Sequence, residues 1–185
     1  MKTKLIEVTN LLLLFAFGVV IIGCETQEQK KEKRTQKFIL QLNNRNQNIE
    51  TRVNAARALG RINTPVAQRA LIKAIPTLIE ALDNDDISTR AFAASALGSI
   101  GESAKQAIPN LTNNLRNDRN ELVRGSSAYA LGRMGKSAQG AISDLVKALD
   151  DENELVRQSA TEALSQINLP QATEALKRHK KGASN

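Results

Sequence analysis

One histidine, one cysteine and no tryptophan occur in 185 residues. A lone cysteine closes no internal disulfide, and one cysteine with one histidine supplies too few ligands for a Cys/His zinc site. The same scarcity disfavours a catalytic triad. Aromatics are sparse as well, at four Phe and one Tyr. Because Phe15 and Phe17 lie in an N-terminal apolar run, the rest of the chain offers only Phe38, Phe92 and Tyr129 as stacking platforms, which disfavours a single-strand nucleic-acid groove. What is present is ordinary for one globular domain: 41% hydrophobic and 24% charged residues. The core must therefore be aliphatic. Lys and Arg number 26 against 19 Asp and Glu, a net charge of +7.

The N-terminus reads as a targeting segment. Lys2 and Lys4 are followed by Leu11 to Ile22, an apolar run that ends at Gly23-Cys24. As a helix those residues span ~18 Å at ~1.5 Å each, short of a ~30 Å hydrocarbon core. The run thus suits a signal peptide better than a permanent span. Its ending, Ile21-Ile22-Gly23-Cys24, resembles a bacterial lipobox, in which the cysteine becomes the new N-terminus and carries diacylglycerol on its thiol. The resemblance implies lipidation at Cys24, and two or three acyl chains at ~0.8 kcal/mol per buried methylene anchor stably. The alternative is a cysteine that merely ends a buried or spanning helix.

Three segments are expected: residues 1–23 a signal peptide, 24–36 the lipidated cysteine with a flexible polar linker (ETQEQKKEKRTQ), and 37–181 the folded domain. Processing would leave 24 basic and 18 acidic groups, so the mature chain stays basic.

The folded part is repetitive. A twelve-residue phrase recurs four times: RVNAARALGRIN from Arg52, RAFAASALGSIG from Arg90, RGSSAYALGRMG from Arg124 and RQSATEALSQIN from Arg157. A second phrase precedes three copies: AIPTLIEAL from Ala74, AIPNLTNNL from Ala107 and AISDLVKAL from Ala141. Counted from each arginine, offsets −1, 3, 6, 7 and 10 are small or aliphatic, a helical stripe that faces a core. Offset 11 is always Gly or Asn (Asn63, Gly101, Gly135, Asn168), residues that tolerate the left-handed turn past a helix end. Gly60, Gly98 and Gly132 sit inside the helix at offset 8, at ~1 kcal/mol each relative to alanine, which points to close helix packing. Pro76 and Pro109 suit a helix first turn. Thr64-Pro65 begins an extra helical turn that accounts for the longer first spacing, and acidic turns (DNDD at 83–86, DDEN at 150–153) cap the helices that follow.

Ala-Ile-Pro-x-Leu, a polar turn, and then Val-Arg with Ala-Leu-Gly-x-Ile-Gly resemble HEAT repeats, specifically the short type named after phycobilisome lyases. The likeness runs from about Phe38 to Asn168. It implies an all-α fold, a right-handed α-solenoid of about four helix pairs with a C-terminal capping helix over 170–181, serving as a protein-binding scaffold without catalytic residues or cofactors. Degenerate end repeats suit a solenoid, whose termini must face water.

Arg52, Arg90, Arg124 and Arg157 share one register and are read as a structural ladder paired with turn acids such as Asp85, Asp118 and Asp151. Offsets 2, 5 and 9 lie opposite the core stripe and hold Arg57 and Arg61, Phe92, then Tyr129 and Arg133. Aromatics flanked by arginines are interface hot-spot types, so these five are the candidate partner-binding residues. The competing reading is ordinary surface, with Phe92 and Tyr129 tucked between helices. The basic tail, Lys177 to Lys181 with His179, is read as a solvated helix end.

The leading functional expectation is a lipid-anchored scaffold of the bacterial envelope, held to the membrane through Cys24, that binds a protein partner. A bilin lyase-like or chaperone-like subunit acting on phycobiliproteins is the alternative implied by the repeat type. Nucleic acid is not expected as a partner, because the basic residues are interleaved with acids and the chain carries an export signal.

Overall fold

The computed structural model describes residues 25–182. The expected signal peptide and the expected lipidation site, Cys24, lie outside the described residues. Among the described residues there are helices and turns with no strand, and no helix is long and apolar enough to cross a membrane.

The chain divides into two units between Gln36 and Lys37. In the first, the expected coil linker is corrected: helix α1 (Gln27–Asn43) already begins at Gln27. Thr26 and Gln29 form a reciprocal capping box, the Thr26 hydroxyl accepting from the Gln29 N–H at 3.2 Å and the Gln29 side-chain oxygen accepting from the Thr26 N–H at 2.9 Å. Gln, Glu, Lys and Arg are strong helix formers. A stretch without apolar side chains lacks a core stripe, but propensity and a cap suffice to make it helical.

The second unit is a stack of helix pairs. Its elements are α2 (Ile49–Ile62), α3 (Pro65–Lys73), α4 (Ile75–Ala81), α5 (Ile87–Ile100), α6 (Ile108–Asn117), α7 (Glu121–Arg133), α8 (Ile142–Lys147), α9 (Glu154–Ile167) and α10 (Pro170–Gly182). The repeated arginine phrase forms α2, α5, α7 and α9, while the Ala-Ile phrase forms α4, α6 and α8. The extra turn expected at Thr64-Pro65 is a full helix, α3, with Thr64 as its cap and Pro65 at its start. Short 3₁₀ segments, Gly101–Ala107 and Gly135–Ala141, carry the chain from one pair to the next.

Both ends of the repeated helix follow from its sequence. Asn48, Asp86, Asn120 and Asn153 each accept a backbone N–H in the first turn, so the cap is an amide side chain in three copies and a carboxylate only at Asp86. Asn63, Gly101, Gly135 and Asn168 all adopt positive φ, from 48° to 70°, as their identities predict. Between the ends, Leu59, Leu97, Leu131 and Leu164 at offset 7 are fully buried, each contributing ~1.5–3 kcal/mol. Successive arginine-phrase helices touch where the internal glycines lie: a Cβ on Gly98 would come 3.0 Å from the Ala130 Cα, and one on Gly132 2.6 Å from the Ala163 Cα.

Two charge ladders tie adjacent pairs. Arg90 binds Asp118 through two nitrogens at 2.7 and 3.1 Å, and Arg124 binds Asp151 at 2.8 and 2.9 Å. Each also donates to two carbonyls of its preceding turn, Asn84 and Asp85 for Arg90, Asp118 and Arg119 for Arg124. Asp85 therefore serves through its carbonyl rather than its carboxylate. Arg52 breaks the expected ladder, binding the Leu42 carbonyl and the Thr77 hydroxyl, because α3 lengthens the spacing to the next turn. Arg157, in the last copy, holds the Asp151 and Glu152 carbonyls and pairs with Glu154. A second ladder, absent from the sequence reading, joins α6 to α8: Arg116 grips the buried Asp144 with 2.5 and 2.6 Å contacts. The bound guanidinium of Arg116 holds the Asp144 carboxyl below the usual carboxylate range, and that of Arg124 does the same for Asp151.

Candidate protein-binding groove

The helices that bury offset 7 must turn offsets 2, 5 and 9 away from the core, and on α2, α5 and α7 those positions enclose a groove of about 350 Å³. Arg57 and Arg61 enter it from α2, Phe92, Ser95 and Ser99 from α5, and Ser126 and Tyr129 from α7. The guanidinium carbon of Arg57 lies 3.8 Å from the Phe92 ring centroid, a cation–π stack worth ~0.5–2 kcal/mol. That stack holds the arginine head in place without using its hydrogen-bond donors. Phe92 is half-buried and packs on the core, whereas Tyr129 stays 38% exposed. Room for the tyrosine ring comes from Gly98, whose added Cβ would sit 3.4 Å from the Tyr129 Cε1.

Four of the five candidate partner-binding residues thus meet in one groove. Arg133 does not: it is exposed at the last turn of α7 and lies outside the lining. Four lining residues lie outside offsets 2, 5 and 9, namely Gly60, Ala91, Ala96 and Leu122, and of these Leu122 is a large aliphatic side chain left 43% exposed at the start of α7. Its signal was the phrase Glu-Leu-Val-Arg, which recurs at 154–157 and leaves Leu155 exposed at the matching position.

The electrostatics of the groove differ from those of the ladders. No Asp or Glu lines it, and among the described residues neither Arg57 nor Arg61 has an ion-pair or hydrogen-bond partner for its side chain, whereas Arg90, Arg116 and Arg124 are each bound to an aspartate.

At the far end, α10 carries the basic tail. His179 lies 3.1 Å from Asp150 through its Nε2, and Arg178 pairs with Glu174 at 3.0 Å, so part of the tail is engaged locally. No group of three His, Cys, Asp or Glu able to hold a metal occurs among the described residues.

Comparison with known proteins returns one family and one architecture. The profile described as HEAT repeats matches residues 35–132 and 108–183. An engineered protein of known structure is 25% identical with a TM-score of 0.60, over 77% of this chain and 66% of its own. A second engineered protein is 24% identical with a TM-score of 0.58, over 77% of this chain and 40% of its own. This chain thus spans just under two thirds of the first and less than half of the second. The complex of CpcE and CpcF of phycocyanin lyase from Nostoc sp. PCC7120 is 21% identical with a TM-score of 0.55, over 70% of this chain and 86% of that one. These likenesses show an all-α repeat solenoid. No curated protein matches.

Proposed function

The chain belongs to the HEAT-repeat family, and from that premise we propose that it is a non-catalytic scaffold of the bacterial envelope, anchored by lipid at Cys24, that docks a protein partner in the groove between α2, α5 and α7. The family favours a protein-interaction role. The observation that carries the docking site is the convergence of Arg57, Arg61, Phe92 and Tyr129 on one concave surface. Aromatic and arginine side chains that are partly desolvated and held in place are the residues on which interfaces depend most.

Phe92→Ala combined with Tyr129→Ala is expected to weaken partner binding by more than ~1 kcal/mol, or at least about fivefold, with helicity unchanged. Capture from detergent extracts, followed by affinity measurement on the purified partner, checks the binding; circular dichroism checks the fold. Arg133→Glu, outside the groove, is the control that should leave affinity near wild type. Full affinity in the double variant removes the groove as the site. Outright unfolding makes the two aromatics core residues, whose loss costs ~3–5 kcal/mol each.

The membrane part of the proposal rests on Ile21-Ile22-Gly23-Cys24 and the apolar run before it. Cys24→Ala is expected to abolish incorporation of labelled fatty acid and to release the protein from membranes or leave it unprocessed. Equal labelling of variant and wild type would sink the lipoprotein reading while leaving the groove untouched.

A bilin lyase-like or chaperone-like role on phycobiliproteins draws on the likeness to the phycocyanin lyase complex, which at 21% identity is a likeness of fold. A purified phycobiliprotein recovered as the partner of the groove would favour it.

A further inference from the structure

Resting on the docking reading above, we propose that the partner segment is an acidic peptide stretch carrying one apolar or aromatic anchor residue, its carboxylates on Arg57 and Arg61 and its anchor against Phe92, Tyr129 and Leu122.

The groove arginines differ from those that tie the repeats together. Arg90, Arg116 and Arg124 are each bound by an aspartate of the next repeat at 2.5–3.1 Å, so their charge is spent inside the fold. Arg57 and Arg61 lie one helical turn apart on α2, facing a groove without an acidic lining. Arg57 is held by its stack on Phe92, a contact that uses the face of the guanidinium carbon and leaves its N–H donors available to a carboxylate. Residues four apart on a helix have Cβ atoms ~5–6 Å apart, a spacing that two neighbouring carboxylates of a peptide can match.

The remaining lining selects the second feature. Leu122 and Tyr129 are exposed apolar surface in the same groove, and Ser95, Ser99 and Ser126 add hydroxyls to its lining, that of Ser99 donating to the Ser95 carbonyl. At about 350 Å³ the groove sits at the small end of ligand-sized clefts, so it takes a few side chains of one segment. A flat lipid surface does not reach into such a recess. A nucleic acid would need a continuous basic track, but the position of α9 that matches Arg57 and Tyr129, offset 5, is Glu162.

The test uses the full chain in detergent micelles against immobilised 15-residue peptides of four kinds: acidic with a central Phe or Leu, acidic without an apolar residue, the Asn/Gln counterpart of the first, and a Lys counterpart. The first kind is expected to bind best, by about tenfold over the Asn/Gln counterpart, and to weaken as salt rises. Arg57→Gln with Arg61→Gln should lower that binding about tenfold with an unchanged thermal melt; if the pair perturbs folding, the exposed Arg61→Gln alone carries the test. Should Asn/Gln peptides bind equally well and still depend on Phe92 and Tyr129, the acidic partner is wrong and the docking groove stands. Acidic peptides that bind independently of the arginines and the aromatics overturn both. Phosphatidylglycerol vesicles or polyuridylate that displace the bound peptide better than free acidic peptide, at equal charge, make the partner a membrane or a nucleic acid, and no binding by any peptide overturns the proposal as well.

Discussion

Gly132→Val is expected to destabilise the array by about 3 kcal/mol or more, the upper range for overpacking. Even the alanine Cβ at this position would lie 2.6 Å from the Ala163 Cα and 2.9 Å from its Cβ. Both obstacles belong to helix backbone or its first side-chain atom, so neither can rotate away, and α7 and α9 must separate. For a domain of this length, that loss lowers the melting temperature by roughly 6–12 °C. The same substitution series grades itself along the chain. At Gly98 the nearest atom, the Ala130 Cα, is 3.0 Å away, and alanine there should cost less. At Gly60 the neighbours are the Ser99 hydroxyl and Cβ at 3.2 and 3.3 Å. A serine side chain can yield, and a gain in helix propensity of up to ~1 kcal/mol makes Gly60→Ala near neutral. Gly140, with nothing within 4 Å, is the open-space control. Urea unfolding followed by circular dichroism reads the order; wild-type stability in Gly132→Ala would mean that α7 and α9 do not approach as closely as the structure has them. Because repeat arrays unfold through neighbour interfaces, the loss should also appear as a broader transition.

Arg124→Met should be the second costly change, at about 3–5 kcal/mol. Arg124 is 8% exposed and holds the Asp151 carboxylate with two bonds and the Asp118 and Arg119 carbonyls with a third nitrogen. Without it, the Asp151 carboxylate loses its charged partner and two carbonyls lose this donor inside the stack. Adding Asp151→Asn should recover part of the loss, because the charge is removed while the bond from the Asn153 N–H can remain. The ladder also sets an acid limit. The carboxyls of Asp144 and Asp151 are held below their ordinary values by Arg116 and Arg124, so as pH falls the unfolded chain takes up protons before the folded one does. Their stabilisation is complete above the unfolded value of ~3.9 and is lost as pH drops through the lower folded values. Thermal melts should be level above about pH 5 and fall below about pH 4. Arg124→Met should show a shallower fall, since the Asp151 contribution is already gone; an equally steep fall would place the acid sensitivity elsewhere.

The sequence by itself determined what is local or repeated. Four copies of one phrase set four helices, their buried Leu59, Leu97, Leu131 and Leu164, and their left-handed ends at Asn63, Gly101, Gly135 and Asn168, because burial at a 3.6-residue period and positive φ depend on a few neighbours in the chain. The helical start at Gln27 is equally local, written in the Thr26 to Gln29 capping box, although the stretch lacks an apolar period. Tertiary structure decided which of the matching offsets meet. Arg57 stacks on Phe92 and faces Tyr129, while Arg133, of the same register as Arg61, falls outside the groove. Arg52 loses the aspartate that Arg90 and Arg124 keep, because α3 displaces the following turn. Arg116 directly follows the Ala-Ile phrase of α6 and Asp144 lies within that of α8, and only the packing of α6 beside α8 brings them together. Gly60 meets offset 9 of the next repeat, whereas Gly98 and Gly132 meet offset 6. One phrase therefore keeps its contacts in the middle copies and changes them in others, since the shift of a helix against its neighbour is a property of the packed pair and is written in neither helix alone.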